Sequence, residues 1–188
     1  MSLYMTSTVA IDDTTITKNS LNQLQVNTSY FPYKIAEIDI STNTTQVDIT
    51  GLDGNSDEVY LLILRIYNPT GSQTVNSIRF NDVAINKYYR IFIDSNGSSV
   101  STGETSVSNQ IEILKADANS VGTAVCYVFA KSGSQRHVLA HSYTSSIHRH
   151  LFGRWVDTTS NLTKINIVCN TSNGIGTGSK IWVYKLVG

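Results

Sequence analysis

The sequence predicts an all-β protein, an antiparallel β-sandwich preceded by a short N-terminal arm. Three observations lead there. Uncharged polar residues fill the chain: 23 Ser, 21 Thr, 16 Asn and 6 Gln, or 66 of 188. Apolar residues recur with a period of two, and no window of a dozen residues carries an i, i+3, i+4, i+7 stripe. Clusters of Gly, Ser and Asn break the chain roughly every dozen residues, the spacing of turns between short strands.

Composition also excludes. Charged residues are only 15% and the formal net charge is zero, whereas disorder needs high net charge with low hydrophobicity. A coiled coil would be rich in Ala, Glu, Lys, Leu and Arg. No apolar run approaches the ~18 residues of a membrane helix, so no membrane partner is expected. A neutral chain lacks the strongly basic face of a dedicated nucleic-acid binder. Met1–Ser7 has no basic region followed by an apolar stretch, so no signal peptide is expected.

Residues 1–33 are polar and weakly patterned, and read either as a frayed terminus or as an arm or docking segment that orders only against a neighbouring subunit. Leu21, Leu24 and Gln25 suggest one short helical turn there. From Lys34 the period becomes two: Ile35, Glu37 and Asp39 face one way, Ala36, Ile38 and Ile40 the other. Gln46–Thr50 alternates again. Gly51–Ser56 is turn chemistry, since Gly and Asn tolerate positive φ. Glu58–Asn68 is the most apolar stretch and reads as a central strand covered on both faces. Further strands are expected at about 75–81, 88–94, 108–114, 121–131, 136–147, 152–157, 162–169 and 179–187. Short strands in this number read as a sandwich or jelly roll occupying residues 34–188.

Cys126 and Cys169 each sit inside an apolar run. Buried free thiols are the expected state, and two cysteines do not make a disulfide scaffold.

No catalytic residues are expected. Gly176-Thr177-Gly178-Ser179 fails the Gly-x-Ser-x-Gly pattern and precedes a strand rather than a helix. Gly174, Gly176 and Gly178 lack the spacing of a phosphate loop. Asp53-Gly54-Asn55-Ser56-Asp57-Glu58 offers several oxygens to a calcium ion but lacks the EF-hand frame. All four histidines lie between 137 and 150. On a strand His137 and His141 share a face, as do His148 and His150. No cofactor is expected, with one exception: His148 and His150 as metal ligands where a symmetric trimer brings three copies to one axis. From Ala118 to Val156 there is no Asp or Glu, and Arg149 and Arg154 stand in this basic stretch as candidate binding residues. Exposed aromatics mark interfaces or sugar platforms, which makes Tyr88, Tyr89 and Trp155 candidates as well.

Two regions carry a resemblance. Leu62-Ile63-Leu64, Ile78-Arg79-Phe80-Asn81 and Asn86-Lys87-Tyr88 are followed by Gly153-Arg154-Trp155, Leu162–Ile167, Gly178-Ser179 and Ile181-Trp182-Val183-Tyr184. In order and spacing these resemble the jelly-roll domain recurrent in virion proteins of tailed bacteriophages, among tail, baseplate, neck and head-fibre components. Asp82-Val83 stands where that family has a Gly-Asp-like turn, and Tyr184-Lys185 where it closes on Tyr-Gly. The resemblance implies jelly-roll topology, a structural role without catalysis and location in the virion. Expected partners are copies of the chain, a trimer foremost, and other virion proteins. The alternative is a receptor-binding module that recognises a host surface glycan.

Overall fold

The computed structural model describes residues 32–186 and three strand segments upstream of them. Those are β1 (Val9–Ile11), β2 (Thr14–Lys18) and β3 (Leu24–Thr28). They pair antiparallel in chain order, with Ile16 opposite both Val9 and Val26. The helical turn expected at Leu24 and Gln25 is therefore strand. Leu24 and Val26 alternate with Gln25 and Asn27, and that period of two wins over the helical spacing. Leu21 lies outside the described residues.

The rest is all-β apart from one helical turn. Its elements are β4 (Tyr33–Asp39), β5 (Gln46–Thr50), α1 (Gly54–Asp57), β6 (Val59–Tyr67), β7 (Thr74–Phe80), β8 (Tyr88–Ser95), β9 (Val100–Ser108), β10 (Ile111–Ala116), β11 (Val121–Phe129), β12 (Arg136–Tyr143), β13 (His148–Trp155), β14 (Lys164–Cys169) and β15 (Lys180–Lys185). They form a small sheet of order β10-β7-β14-β5 and a large one of order β4-β15-β6-β11-β12-β13-β8-β9. All named pairings are antiparallel. The inner faces of the two sheets share one core. Tyr60, Leu62, Leu64 and Ile66 of β6 pack there with Ile78 and Phe80 of β7 and Ile165 and Ile167 of β14, all fully buried. Period-two burial makes this possible: β11 alternates exposed and buried at every residue from Val121 to Phe129.

Phe80 anchors the aromatic part of the core, its ring 5.5 Å from Trp155 and 6.1 Å from Tyr88. Asn81 follows at φ 51. Its side-chain oxygen accepts from the backbone of Thr163 and Lys164 at 3.0 and 3.1 Å, and its amide donates to the Asn161 carbonyl. Gly153 faces inward on β13, where a Cβ would stand 2.6 Å from Ile111 Cγ2. Only glycine admits that approach between the sheets. Cys126 and Cys169 are buried free thiols, and burial pushes the Cys126 thiol up to about 12.

Four sequence expectations change. β9 has no counterpart among them, because Ser, Thr and Gly fill this edge strand and only Val100 and Val107 are large and apolar. The expected strands at 136–147 and 152–157 are instead a tight hairpin turning at Ser145-Ser146. That turn contains no Gly, Asn or Pro. The Thr144 hydroxyl accepts from Ile147 N at 3.0 Å, while both serine hydroxyls donate to Asp117. The polar loop after Gly51 includes a helical turn, α1, capped by the Asp53 carboxylate, which accepts from the Asn55 and Ser56 backbone. Finally, β6 is covered on one face only. Val59, Leu61 and Ile63 are half-buried on the other face, shielded by lateral neighbours rather than by a second layer.

Candidate functional site

The uncovered side of the large sheet gathers the candidate residues. Strand register arranges them in rows across the strands. One row runs Glu104, Ile91, Phe152, Leu139, Tyr127, Leu61, Tyr184 and Lys34, from β9 to β4. The next runs Thr102, Ile93, His150, His141, Val125, Ile63, Trp182 and Glu37 through the same pairings. These rows are apolar or aromatic between their ends. Phe152 is 67% exposed, Ile91 59% and Tyr127 38%. The β4–β15 margin is charged and internally paired, with Lys180 Nζ 2.8 Å from Glu37 and 3.0 Å from Asp39, and Lys34 2.7 Å from Glu37. Hydrogen bonds from Lys180 and Lys34 hold the Glu37 carboxyl down at about 2.

The hairpin β12–β13 brings all four histidines to this face. Its strands both alternate inward and outward, and the two-residue turn keeps their outward positions in phase. His141 stands opposite His150 with ring centroids 4.3 Å apart, edge to face. His148 stands opposite Tyr143 at 4.4 Å, and His137 opposite Arg154. The sequence placed the histidines in two same-face pairs correctly. The cross-strand pair His141–His150 is a property of register and was not read.

At the β9 end a groove of about 460 Å³ opens beside this hairpin, lined by Tyr89, Ile91, Glu104, His137, Phe152 and Arg154 among others. The Arg154 guanidinium lies 4.4 Å from the Tyr89 ring centroid. Tyr89 and Arg154, separate candidates in the sequence, are thus brought together at a surface by the pairing of β8 with β13. Phe152, which the sequence groups with Trp155 as aromatics for a sugar platform, is the member of that pair that reaches the groove, and Glu104, an isolated carboxylate in the sequence, joins it there. Phe152 signals itself by position, opposite in phase to Leu151 and Trp155.

Three other expected binding residues are corrected. Tyr88 and Trp155 are fully buried. Tyr88 Oη accepts from Phe80 N at 2.9 Å and donates to the Val83 carbonyl at 2.9 Å, so it ties the Phe80–Val83 turn to β8 and meets no ligand. Arg149 points inward too and is bound to Asp94. In each case the strand's phase puts the residue on the core side. The Asp53 segment, considered for calcium, spends its carboxylate on the cap of α1 and on the Asn161 amide.

His148 and His150 share the outward face two residues apart, as expected. Among the described residues no group of three or more His, Cys, Asp or Glu stands close enough to hold a metal. No helix of the described residues is long and apolar enough to cross a membrane. No family model matches the chain, and no curated protein matches it.

Proposed function

We propose that the chain is a structural subunit of a viral particle, a jelly-roll sandwich that assembles with copies of itself and with other virion proteins through the outer face of its large sheet. The observation that carries this reading is the uncovered apolar band on that face. Soluble monomers rarely leave contiguous apolar patches beyond a few hundred Å² open to water. Seven inter-strand steps of ~4.8 Å by eight residues at ~3.4 Å give a face of roughly 900 Å², against ~800 Å² per partner in a standard stable interface. The central strands carry few charges there, chiefly Arg65 and Arg154, as interface centres do.

Strand order supports the jelly-roll part. Take β5 to β11 and β14 as eight consecutive strands. The small sheet then holds the sixth, third, eighth and first, and the large sheet the second, seventh, fourth and fifth. We read this order as a jelly-roll winding, with the hairpin β12–β13 inserted between the seventh and fourth strands and β15 and β4 added beyond the second. Of the motifs that resemble the bacteriophage domain, Leu62–Leu64, Ile78–Asn81 and Leu162–Ile167 fall on or beside the second, third and eighth of these strands, while Gly153–Trp155 and Ile181–Tyr184 lie on the added strands β13 and β15.

Light scattering on the full chain tests assembly. A homo-oligomer is expected, a trimer foremost, with a mass that is a multiple of 20.7 kDa, and Phe152→Glu or Tyr127→Glu returns it to monomer. A wild-type chain that stays monomeric at micromolar concentration sinks the reading. Recovery of the chain from purified particles by mass spectrometry tests location in the virion.

The groove favours a second reading, recognition of a host surface glycan. Phe152 and Tyr89 offer ring faces to a sugar, and Arg154 and Glu104 offer a donor and an acceptor. Glycan-array binding lost in Tyr89→Ala and Arg154→Ala supports it.

A further inference from the structure

We infer that His141 and His150 form a binding site for a divalent transition-metal ion of the Zn²⁺, Ni²⁺ or Cu²⁺ class. The site is local to one hairpin of one chain: it shares His150 with the symmetry-axis set but takes its second ligand from across the hairpin instead of from other copies. It is argued from the hairpin geometry alone, and both histidines lie on the face proposed above for assembly.

The hairpin geometry carries the inference. Thr144 N donates to the Ile147 carbonyl at 2.9 Å, which makes Thr144 and Ile147 a hydrogen-bonded pair at the turn. Hydrogen-bonded and non-hydrogen-bonded pairs alternate along an antiparallel ladder. Counting back through Tyr143–His148 and Ser142–Arg149, the pair His141–His150 is non-hydrogen-bonded. Side chains of such pairs are the closer kind, with Cβ atoms ~4.5–5.5 Å apart. Both imidazoles point out of the same sheet face and already touch, with ring centroids 4.3 Å apart. Two nitrogens binding one ion at ~2.0–2.1 Å stand ~3 Å apart on an octahedral edge, a separation that small rotations of the two rings reach.

The surroundings select the ion. A hollow of about 260 Å³ opens at the pair, lined on the outer face by Thr123, Val125, Tyr143 and His148 besides the two ligands. The flanking outward residues are Ile93 and Ile91 on β8, Val125, Thr123 and Tyr127 on β11, Leu139 and Tyr143 on β12, and His148 and Phe152 on β13. No carboxylate is among them. Hard cations such as Mg²⁺ and Ca²⁺ need oxygen ligands, while imidazole suits Zn²⁺, Ni²⁺ and Cu²⁺. Two protein ligands leave the other positions to water, so the site is an open one. The bound ion staples β12 to β13, the hairpin inserted between β11 and β8.

The test uses the full, tag-free chain and the metal alone. Isothermal titration with NiCl₂ at pH 7.5 is expected to show one ion per chain. Either His141→Asn or His150→Asn weakens binding at least tenfold, and His148→Asn changes it less than threefold. Added MgCl₂ gives no heat. All three side chains are exposed, and circular dichroism confirms that each variant keeps its strands. Absence of saturable Ni²⁺ binding by the wild type overturns the inference. So does a loss in His148→Asn equal to that in His141→Asn, which would place the ligands along β13 instead of across the hairpin.

Discussion

Arg149 and Asp94 are direct register partners on β13 and β8, and the guanidinium grips the carboxylate with two parallel bonds, Nε to Oδ1 at 2.6 Å and Nη2 to Oδ2 at 2.7 Å. Both lie on the inner face of the large sheet. Lys115 Nζ reaches the same carboxylate from β10 at 3.1 Å, so the ion pair spans the two sheets. The Arg149 guanidinium also lies 4.5 Å from the Phe92 ring centroid. Burial pushes the Asp94 carboxyl upward, but hydrogen bonds from Arg149 and Lys115 outweigh it and leave it below its ordinary value. Breaking such a buried pair from one side strands the other charge. Arg149→Met is therefore expected to cost about 3–5 kcal/mol of stability in urea denaturation. A cost under about 1 kcal/mol would show that Asp94 finds water or relies on Lys115 alone.

Acid should unfold the protein late. Burial raises Asp117, but hydrogen bonds from Ser146, Gln73 and Ser145 bring it down to about 2. Burial raises Asp157 likewise, and bonds from the Ser160 and Thr159 backbone bring it to about 2. Both folded values lie below the ~3.9 of an unfolded Asp. The sign follows: each carboxylate contributes stability that is fully present above about pH 4 and is lost as pH falls through 2. Thermal midpoints are expected to hold down to about pH 4 and then decline. Asp117→Asn flattens that decline, because it removes one of the groups that must protonate. A midpoint that falls already between pH 6 and 5 would mean that these two carboxylates do not set the acid limit.

Much of this architecture was legible in the sequence. Alternation alone places Val47 and Ile49 in the core, and it placed the histidines in their same-face pairs. What escaped was information held in register. Nothing local distinguishes Arg149 from Arg154: one is sealed against Asp94, the other lies over Tyr89, and only the partner strand decides. The turn at Ser145-Ser146 hid because its backbone is held by Thr144 and by a carboxylate 28 or 29 residues earlier, not by Gly or Asn. The apolar stretch of β6 suggested cover on both faces. Its outer residues are apolar because the whole outer face is.

Neighbouring residues on β13 separate the core from that face. Leu151 is 2% exposed and Phe152 67%. Leu151→Ala is expected to cost about 2–5 kcal/mol, the transfer and cavity cost of a buried leucine. Phe152→Ala should stay within about 0.5 kcal/mol when measured on a dissociated chain. In an assembled chain the same substitution should cost more, by an amount that grows with the logarithm of concentration, since association stabilises by mass action. Comparable losses for both residues in dilute monomer would mean that Phe152 packs inside, contrary to the alternation of β13.

The glycan reading is tested at Tyr89 and not at the buried candidate Trp155. Trp155 sits in the core against Phe80 and Tyr88, and its removal costs about 3–5 kcal/mol, so lost binding in Trp155→Ala would report unfolding. Tyr89→Ala, on the surface of the groove, is expected to leave the thermal midpoint within a few degrees. Sugar binding that survives Tyr89→Ala and Phe152→Ala together excludes the groove.

The edge strand β9 offers the last measurement. Gly103 pairs with Phe92, and a Cβ on it would stand 2.5 Å from Phe92 Cζ. The ring lies across the glycine, an arrangement that pins the register of a strand with few apolar side chains of its own. Phe92 also carries Arg149 on its face, so a displaced ring disturbs the buried ion pair as well. Gly103→Ala is expected to cost about 1–3 kcal/mol through overpacking and to speed amide exchange along β9. Gly71→Ala is the control. Nothing lies within 4 Å of its Cβ position, so it should be neutral or stabilise by up to about 1 kcal/mol through the unfolded chain. Equal effects from the two substitutions would mean that Phe92 swings aside freely and that β9 takes its register from its backbone alone.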